Sequence, residues 1–145
     1  MMDPRYGMRC GPDACFVSFI VRSDRPLDKG MLASIGRRAL VVAVRPESVK
    51  DWRYLLQAMA YAYTYKKPAR DWRISVLMYL TNSDDIDEAL AAASPIGSEE
   101  YVVAVYGEPS EVVEEIAELP RGEPFYPEGV YDPWLITRYA LKRLS

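Results

Sequence analysis

Four cations, Lys66, Lys67, Arg70 and Arg73, fall within eight residues and are interleaved with Tyr65 and Trp72. A single-stranded nucleic acid needs this mixture of residues: ammonium and guanidinium groups neutralise phosphates, and aromatic faces stack on unpaired bases. Each such contact to a single strand steepens the fall of log affinity with log salt by about 0.7. The same residues also suit a helix C-terminus followed by a solvated loop, where cations meet the negative end of the helix dipole. Both readings stand at this stage.

Other chemistry is poorly supplied. The chain has no histidine, so imidazole acid–base catalysis and His-ligated metals are excluded. Cys10 and Cys15 are the only cysteines, too few for a zinc site. In a mesophile's cytosol they would be thiols, whereas in a hyperthermophile an intracellular disulfide is admissible. One asparagine (Asn82), one glutamine (Gln57) and 11 prolines point to a thermophile, against which stand six methionines. Asp84, Asp85, Asp87 and Glu88 form an acidic cluster, but without the turn glycine and alternating ligands of a calcium loop, and at a place where a helix N-terminus favours carboxylates. There is no phosphate-binding glycine loop, dinucleotide fingerprint or nucleophile elbow. No catalytic residue, metal or cofactor is therefore expected. The alternative is a small α+β enzyme or ligand-binding domain that uses carboxylates or a thiolate of Cys10 or Cys15, and it requires a deep pocket with displaced pKa values.

The elements that must position these residues come from a chain of 145 residues, half of them apolar and 27% charged, which is one domain spanning 1–145. No apolar run approaches the roughly 18 residues of a membrane span, and the N-terminus lacks a secretory signal pattern, which predicts a cytoplasmic protein. Residues 1–80 carry 14 Lys/Arg against 7 Asp/Glu, and residues 81–145 carry 4 against 14, an imbalance that allows one phosphate-binding face on an acidic protein. Apolar, β-branched runs predict buried strands at 14–21, 38–44 and 101–106. A short helix is expected from Leu27 to Ile35, ended by Gly36.

The longest helix starts at Pro46-Glu47-Ser48 and is closed by Lys66-Lys67-Pro68. Val49, Trp52, Leu56, Met59, Ala60 and Tyr63 make its apolar stripe, with Tyr54, Tyr61 and Tyr65 opposite. Two apolar faces mean either a central helix packed on both sides or one that offers aromatics to a partner. Residues 72–80 fit strand by propensity and helix by length. Ser83 and the carboxylates after it start a helix through Ala93, Pro109-Ser110 opens another over 111–119, and 120–127 reads as turns. Asp132-Pro133 caps a last helix on which Arg138 and Lys142 form a basic i,i+4 pair. The fold class is α+β, a small sheet of about three or more strands packed with five or six helices.

Several stretches together resemble one family. They are Leu55-Leu56-Gln57-Ala58, Leu77-Met78-Tyr79-Leu80, Asp85-Ile86-Asp87-Glu88-Ala89-Leu90, Pro95-Ile96-Gly97, the strand Tyr101-Val102-Val103-Ala104-Val105, and the ending with Ile136-Thr137-Arg138-Tyr139. The chain resembles the kinase-binding regulatory subunit of the KEOPS complex, which takes part in making threonylcarbamoyl-adenosine in tRNA. It departs from that family at Asp84-Asp85, where Arg-Gln is usual, and at Ser94-Pro95, where a glycine-type helix end is usual. The resemblance implies helix over 70–81 and a non-catalytic protein; the isolated chain is expected to be a monomer or a weak homodimer. The resemblance also implies binding to the complex's atypical protein kinase subunit and to tRNA, including its single-stranded 3′ end. Lys66, Lys67, Arg70 and Arg73 would then contact phosphates, and Tyr65 or Trp72 would stack. Tyr54, Tyr61, Ile136 and Tyr139 are the candidates for the kinase surface. A homodimer through the Tyr54/Tyr61/Tyr65 face is a further reading.

Overall fold

Two eight-residue apolar strands pair along their whole length and set the architecture: β2 (Cys15–Arg22) runs antiparallel to β4 (Glu100–Gly107), from Cys15 opposite Gly107 to Arg22 opposite Glu100. The computed structural model describes residues 6–28, 39–65 and 71–144. β3 (Leu40–Val44) lines the other side of β4, also antiparallel. Two short strands share the outer edge of β2: β1 (Arg9–Cys10) at its start and β5 (Glu123–Pro124) opposite Phe19 and Ile20. The described sheet therefore has five strands in the order β1-β2-β4-β3, with β5 beside β2. β5 falls where the sequence reading has turns, and β1 where it places no element. Each is two residues long, too short to show an alternation, and Pro124 is admissible only because β5 is an edge strand.

Helices cover both sheet faces, which is why β2, β3 and β4 read as continuous apolar runs rather than alternating ones. On one face Phe16, Ile20, Val42, Val44 and Val102 pack against α1 (Trp52–Tyr65), α2 (Trp72–Thr81) and α5 (Pro133–Leu144). On the other, Val17, Phe19, Val41, Val103 and Val105 meet Val112 and Ile116 of α4 (Pro109–Glu118). α3 (Ile86–Ala93) packs on α2. The α+β class and the strands at the three apolar runs agree with the sequence reading. The expected helix over Leu27–Ile35 falls mostly outside the described residues; Leu27 itself is buried and non-helical, bonded through its N–H to Ser98 O at 2.9 Å.

The residues at 72–80 are helical, and their ambiguity has a physical reason. From Ser75 to Leu80 every residue of α2 is buried, because α1, α3, α5 and β3 all contact it. A helix enclosed all round carries no periodic signal. Asp71 caps its start by accepting from Arg73 N–H at 2.8 Å, and Asn82, at φ 54°, ends it in the left-handed region.

The long helix begins at Trp52, after a separate turn of 3-10 helix at Pro46–Ser48. Its buried stripe is Tyr54, Leu55, Ala58, Met59 and Ala62, while Trp52, Leu56 and Tyr63 are half-buried on the flank. Both faces of α1 are apolar because it lies between the sheet and the other helices. The cap of α3 is Asp85, which accepts from Asp87 N–H at 2.8 Å, rather than Ser83.

Ser18 sits fully buried in mid-strand β2, and its hydroxyl has no hydrogen-bond partner among the described residues. A buried hydroxyl of this kind costs desolvation and returns nothing. Ser18→Ala should leave stability unchanged or raise it by up to about 1 kcal/mol, as read by urea unfolding. A loss of that size would reveal a partner for the hydroxyl.

Candidate docking and nucleic-acid interface

The basic aromatic stretch lies on the connection from α1 to α2. Lys66, Lys67 and Arg70 are outside the described residues. Of the others, Tyr65 ends α1 and is 45% exposed, its ring 6.1 Å from that of Tyr61. Trp72 is half-buried and meets Tyr63 edge-on at 5.5 Å, and Tyr63 in turn meets Tyr106 at 5.4 Å. Its ring is thus part of a row of half-buried aromatic rings, so Tyr65 is the more open stacking surface of the two. Arg73 stands in the first turn of α2, 3.5 Å from the Asp71 carboxylate. That pairing offsets the unfavourable placing of a cation at a helix N-terminus.

The four residues considered for a kinase surface come together in one place, the seam where α5 docks on α1 and α2. Ile136 is fully buried, and Tyr54 and Tyr139 are nearly so. The Tyr54 hydroxyl accepts from Asp132 N–H at 2.7 Å, and the Tyr139 hydroxyl donates to Ser83 O at 2.6 Å. The hydroxyls of Tyr61 and Thr137 are 2.7 Å apart. Rings of Tyr61 and Tyr139 flank that of Tyr79 at 5.7 and 5.5 Å. These side chains hold α5 in place, and of the four only Tyr61 is partly exposed.

Neighbours of these residues form an outward apolar face that the sequence reading did not single out. Trp134, Leu135 and Leu141 of α5 are 60, 41 and 61% exposed, and Arg138 and Lys142 stand among them. Positions 134, 138 and 141 share one side of the helix by their spacing, opposite Ile136 and Ala140. A helical wheel of residues 133–144 would have revealed this second face. Arg138 lies 3.2 Å from Asp132 and Lys142 3.9 Å from Asp84, in pairs too exposed to stabilise much. Val130, just before α5, is almost wholly exposed.

The segment that leads into α5 is fixed by a buried carboxylate. Asp51 is fully buried and accepts four hydrogen bonds, from Arg53 N–H, Nε and Nη2 and from Gly129 N–H, at 2.7 to 3.0 Å. The Arg53 guanidinium, ahead of the cost of burial, holds this carboxyl well below the usual range. Trp52 N–H adds a bond to Pro127 O at 2.8 Å. The start of α1 is in this way tied to residues 127–132.

A second cluster, also unforeseen, surrounds Arg9. Its guanidinium lies 3.6 Å from the ring centre of Tyr126 and 4.7 Å from that of Trp52, a cation–π arrangement. Burial pushes the Tyr126 phenol up, its hydroxyl donating to Tyr6 O at 2.7 Å. A cleft of about 430 Å³ opens beside this cluster, between Arg9–Ala14, Leu56 and Tyr106. A groove of about 300 Å³ lies between β3, α2 and α3, with Asp71 and Arg73 among its otherwise largely apolar walls. Each contains one carboxylate, Asp13 and Asp71 respectively. Cys10 and Cys15, the thiols that covalent chemistry would use, are bonded to each other.

Among the described residues no group of Cys, Asp and Glu is arranged to hold a metal ion, and no helix is long and apolar enough to cross a membrane. What the fold and its surfaces define is an α+β domain with an exposed apolar–cationic terminal helix. Neither a protein-family model nor a curated protein sequence matches the chain.

Proposed function

We propose that this chain is a non-catalytic accessory subunit of the KEOPS type, docking the complex's atypical protein kinase and tRNA, including its single-stranded 3′ end. The observation that supports it best is the outward face of α5, where Trp134, Leu135 and Leu141 stay exposed. The inner face of the same helix is fully used by the core, so the outer one is available for a second macromolecule. Aromatic anchors with interleaved Arg are the composition of interface hot spots. The tRNA reading rests on the exposed Tyr65 and the four cations that follow it in sequence.

The test is binding. A cognate kinase subunit should form a complex with the purified chain at micromolar concentration or below, and Trp134→Glu with Leu141→Glu should weaken it at least about 100-fold. Both positions are solvent-exposed, so circular dichroism should show an unchanged fold. Charge reversal of Lys66, Lys67, Arg70 and Arg73 should weaken tRNA binding and flatten its salt dependence. Absence of any kinase complex would overturn the proposal, and an unchanged salt slope would remove those four cations from the RNA site.

A further inference from the structure

We propose that the Cys10–Cys15 disulfide is a thiol-exchange site that latches β1 onto the sheet, so that a dithiol reductant releases this strand and one wall of the adjacent cleft. The two cysteines face each other across the β1–β2 pair and close a hairpin whose turn is held by Gly11 N–H to Ala14 O at 2.9 Å. β1 pairs with β2 at only two positions, Arg9 with Phe16 and Cys10 with Cys15. Successive residues of a strand point to opposite faces, and here each face carries a different fastening. Arg9 lies over the rings of Trp52 and Tyr126 on the α1 side, while Cys15 is among the core residues of the α4 side. A pair this short is marginal without a covalent link, so the disulfide decides whether Arg9 stays on its rings.

The two cysteines differ in exposure. Cys10 belongs to an exposed residue of the hairpin and Cys15 is fully buried, which directs an incoming thiolate to Cys10 Sγ. In the first step the reductant's sulfur bonds to Cys10, the Cys10–Cys15 bond breaks, and its electron pair leaves on Cys15 Sγ, which takes up a proton. In the second, the reductant's other thiolate attacks its own sulfur in the mixed disulfide and expels Cys10. The dithiol is oxidised to a disulfide as the protein's disulfide is reduced by two electrons to two thiols. The cleft of about 430 Å³ is lined by Arg9 to Ala14 of this hairpin, so release of β1 changes its wall and uncovers the Trp52 ring.

The experiment uses the intact chain under native conditions: dithiothreitol without denaturant, then iodoacetamide and mass spectrometry, with hydrogen exchange measured before and after. Both cysteines should become alkylated while the chain is folded. Amides of residues 7–11 should then exchange at least about tenfold faster, with those of β4 unchanged. The Cys10→Ser/Cys15→Ser double variant should match the reduced chain without any reductant. The proposal is overturned if alkylation requires denaturant, if exchange at 7–11 does not change, or if β4 loses protection together with β1. None of these readouts depends on a kinase or an RNA, so they stand apart from the docking function.

Discussion

Asp51→Asn should destabilise the fold by about 3 kcal/mol, although the exchange preserves shape almost atom for atom. Oδ1 accepts from Arg53 N–H and Nε, and Oδ2 from Arg53 Nη2 and Gly129 N–H. Every direction around the carboxylate is filled by a donor. An amide puts its own NH₂ against two of them, whichever way it is turned, and leaves buried N–H groups unsatisfied. The Arg53 side chain is 41% exposed, so water relieves part of the loss on its side; nothing relieves it at Asp51. In a domain of this size the melting temperature should fall by roughly 10 °C.

Acid distinguishes this charge effect from simple packing. The folded carboxyl titrates well below an unperturbed Asp, near 3.9. Its contribution is therefore complete above the unfolded value and is lost as the pH falls through it towards the folded value. The stability gap between the native chain and Asp51→Asn should hold from pH 7 to about 5 and narrow by about 1–2 kcal/mol by pH 2.5, in urea unfolding followed by circular dichroism. A gap independent of pH would mean that the carboxylate's charge is not what stabilises the fold. Because Asp51 holds Gly129, and Trp52 and Tyr54 hold Pro127 and Asp132, the variant should also loosen the entry to α5. If the proposed docking function holds, kinase binding through Trp134 should weaken with it.

Gly122→Ala is the second large effect, of about 3 kcal/mol. A Cβ at Gly122 would stand 2.3 Å from Ile20 O and 2.9 Å from Phe19 Cδ2. The first of these is backbone of the central strand pair and has nowhere to move. β5 would have to leave the edge of β2, with loss of its two pairs to Phe19 and Ile20 and of the bond from Phe125 N–H to Ser18 O. Gly11→Ala is the control: its Cβ meets nothing closer than 4.0 Å, and stability should stay within about 0.5 kcal/mol. Equal losses at the two positions would mean that the contact at Ile20 is not what the substitution breaks.

Particular residues show where the sequence was readable. The runs at Phe16–Val21, Leu40–Val44 and Tyr101–Val105 announce strands buried on both faces, because branched apolar residues without alternation have few other homes in a short segment. Pro109 and Pro133 mark helix starts because a missing N–H costs nothing in a first turn. Trp72–Leu80 was ambiguous because burial on all sides removes the period. β1 and β5 were illegible because two residues carry no pattern, and their pairing is decided by the edge of β2.

The site divides in the same way. Tyr54, Tyr61, Ile136 and Tyr139 were visible as apolar residues on helices, but not which side of each helix the core would take. Arg9 has no sequence signal at all, since the rings beneath it come from residues 52 and 126.

Composition and local spacing by themselves determined the α+β class, the absence of imidazole chemistry and the positions of the main strands and of the helices other than α2. These follow from backbone propensity and from the number of apolar side chains that must leave water. Only the tertiary structure decided that Asp51 is buried among four donors, that Cys10 and Cys15 are joined, and that α5 turns Ile136 inward and Trp134 outward. Each of those depends on surfaces brought together from distant parts of the chain, and no local stretch of residues contains that information.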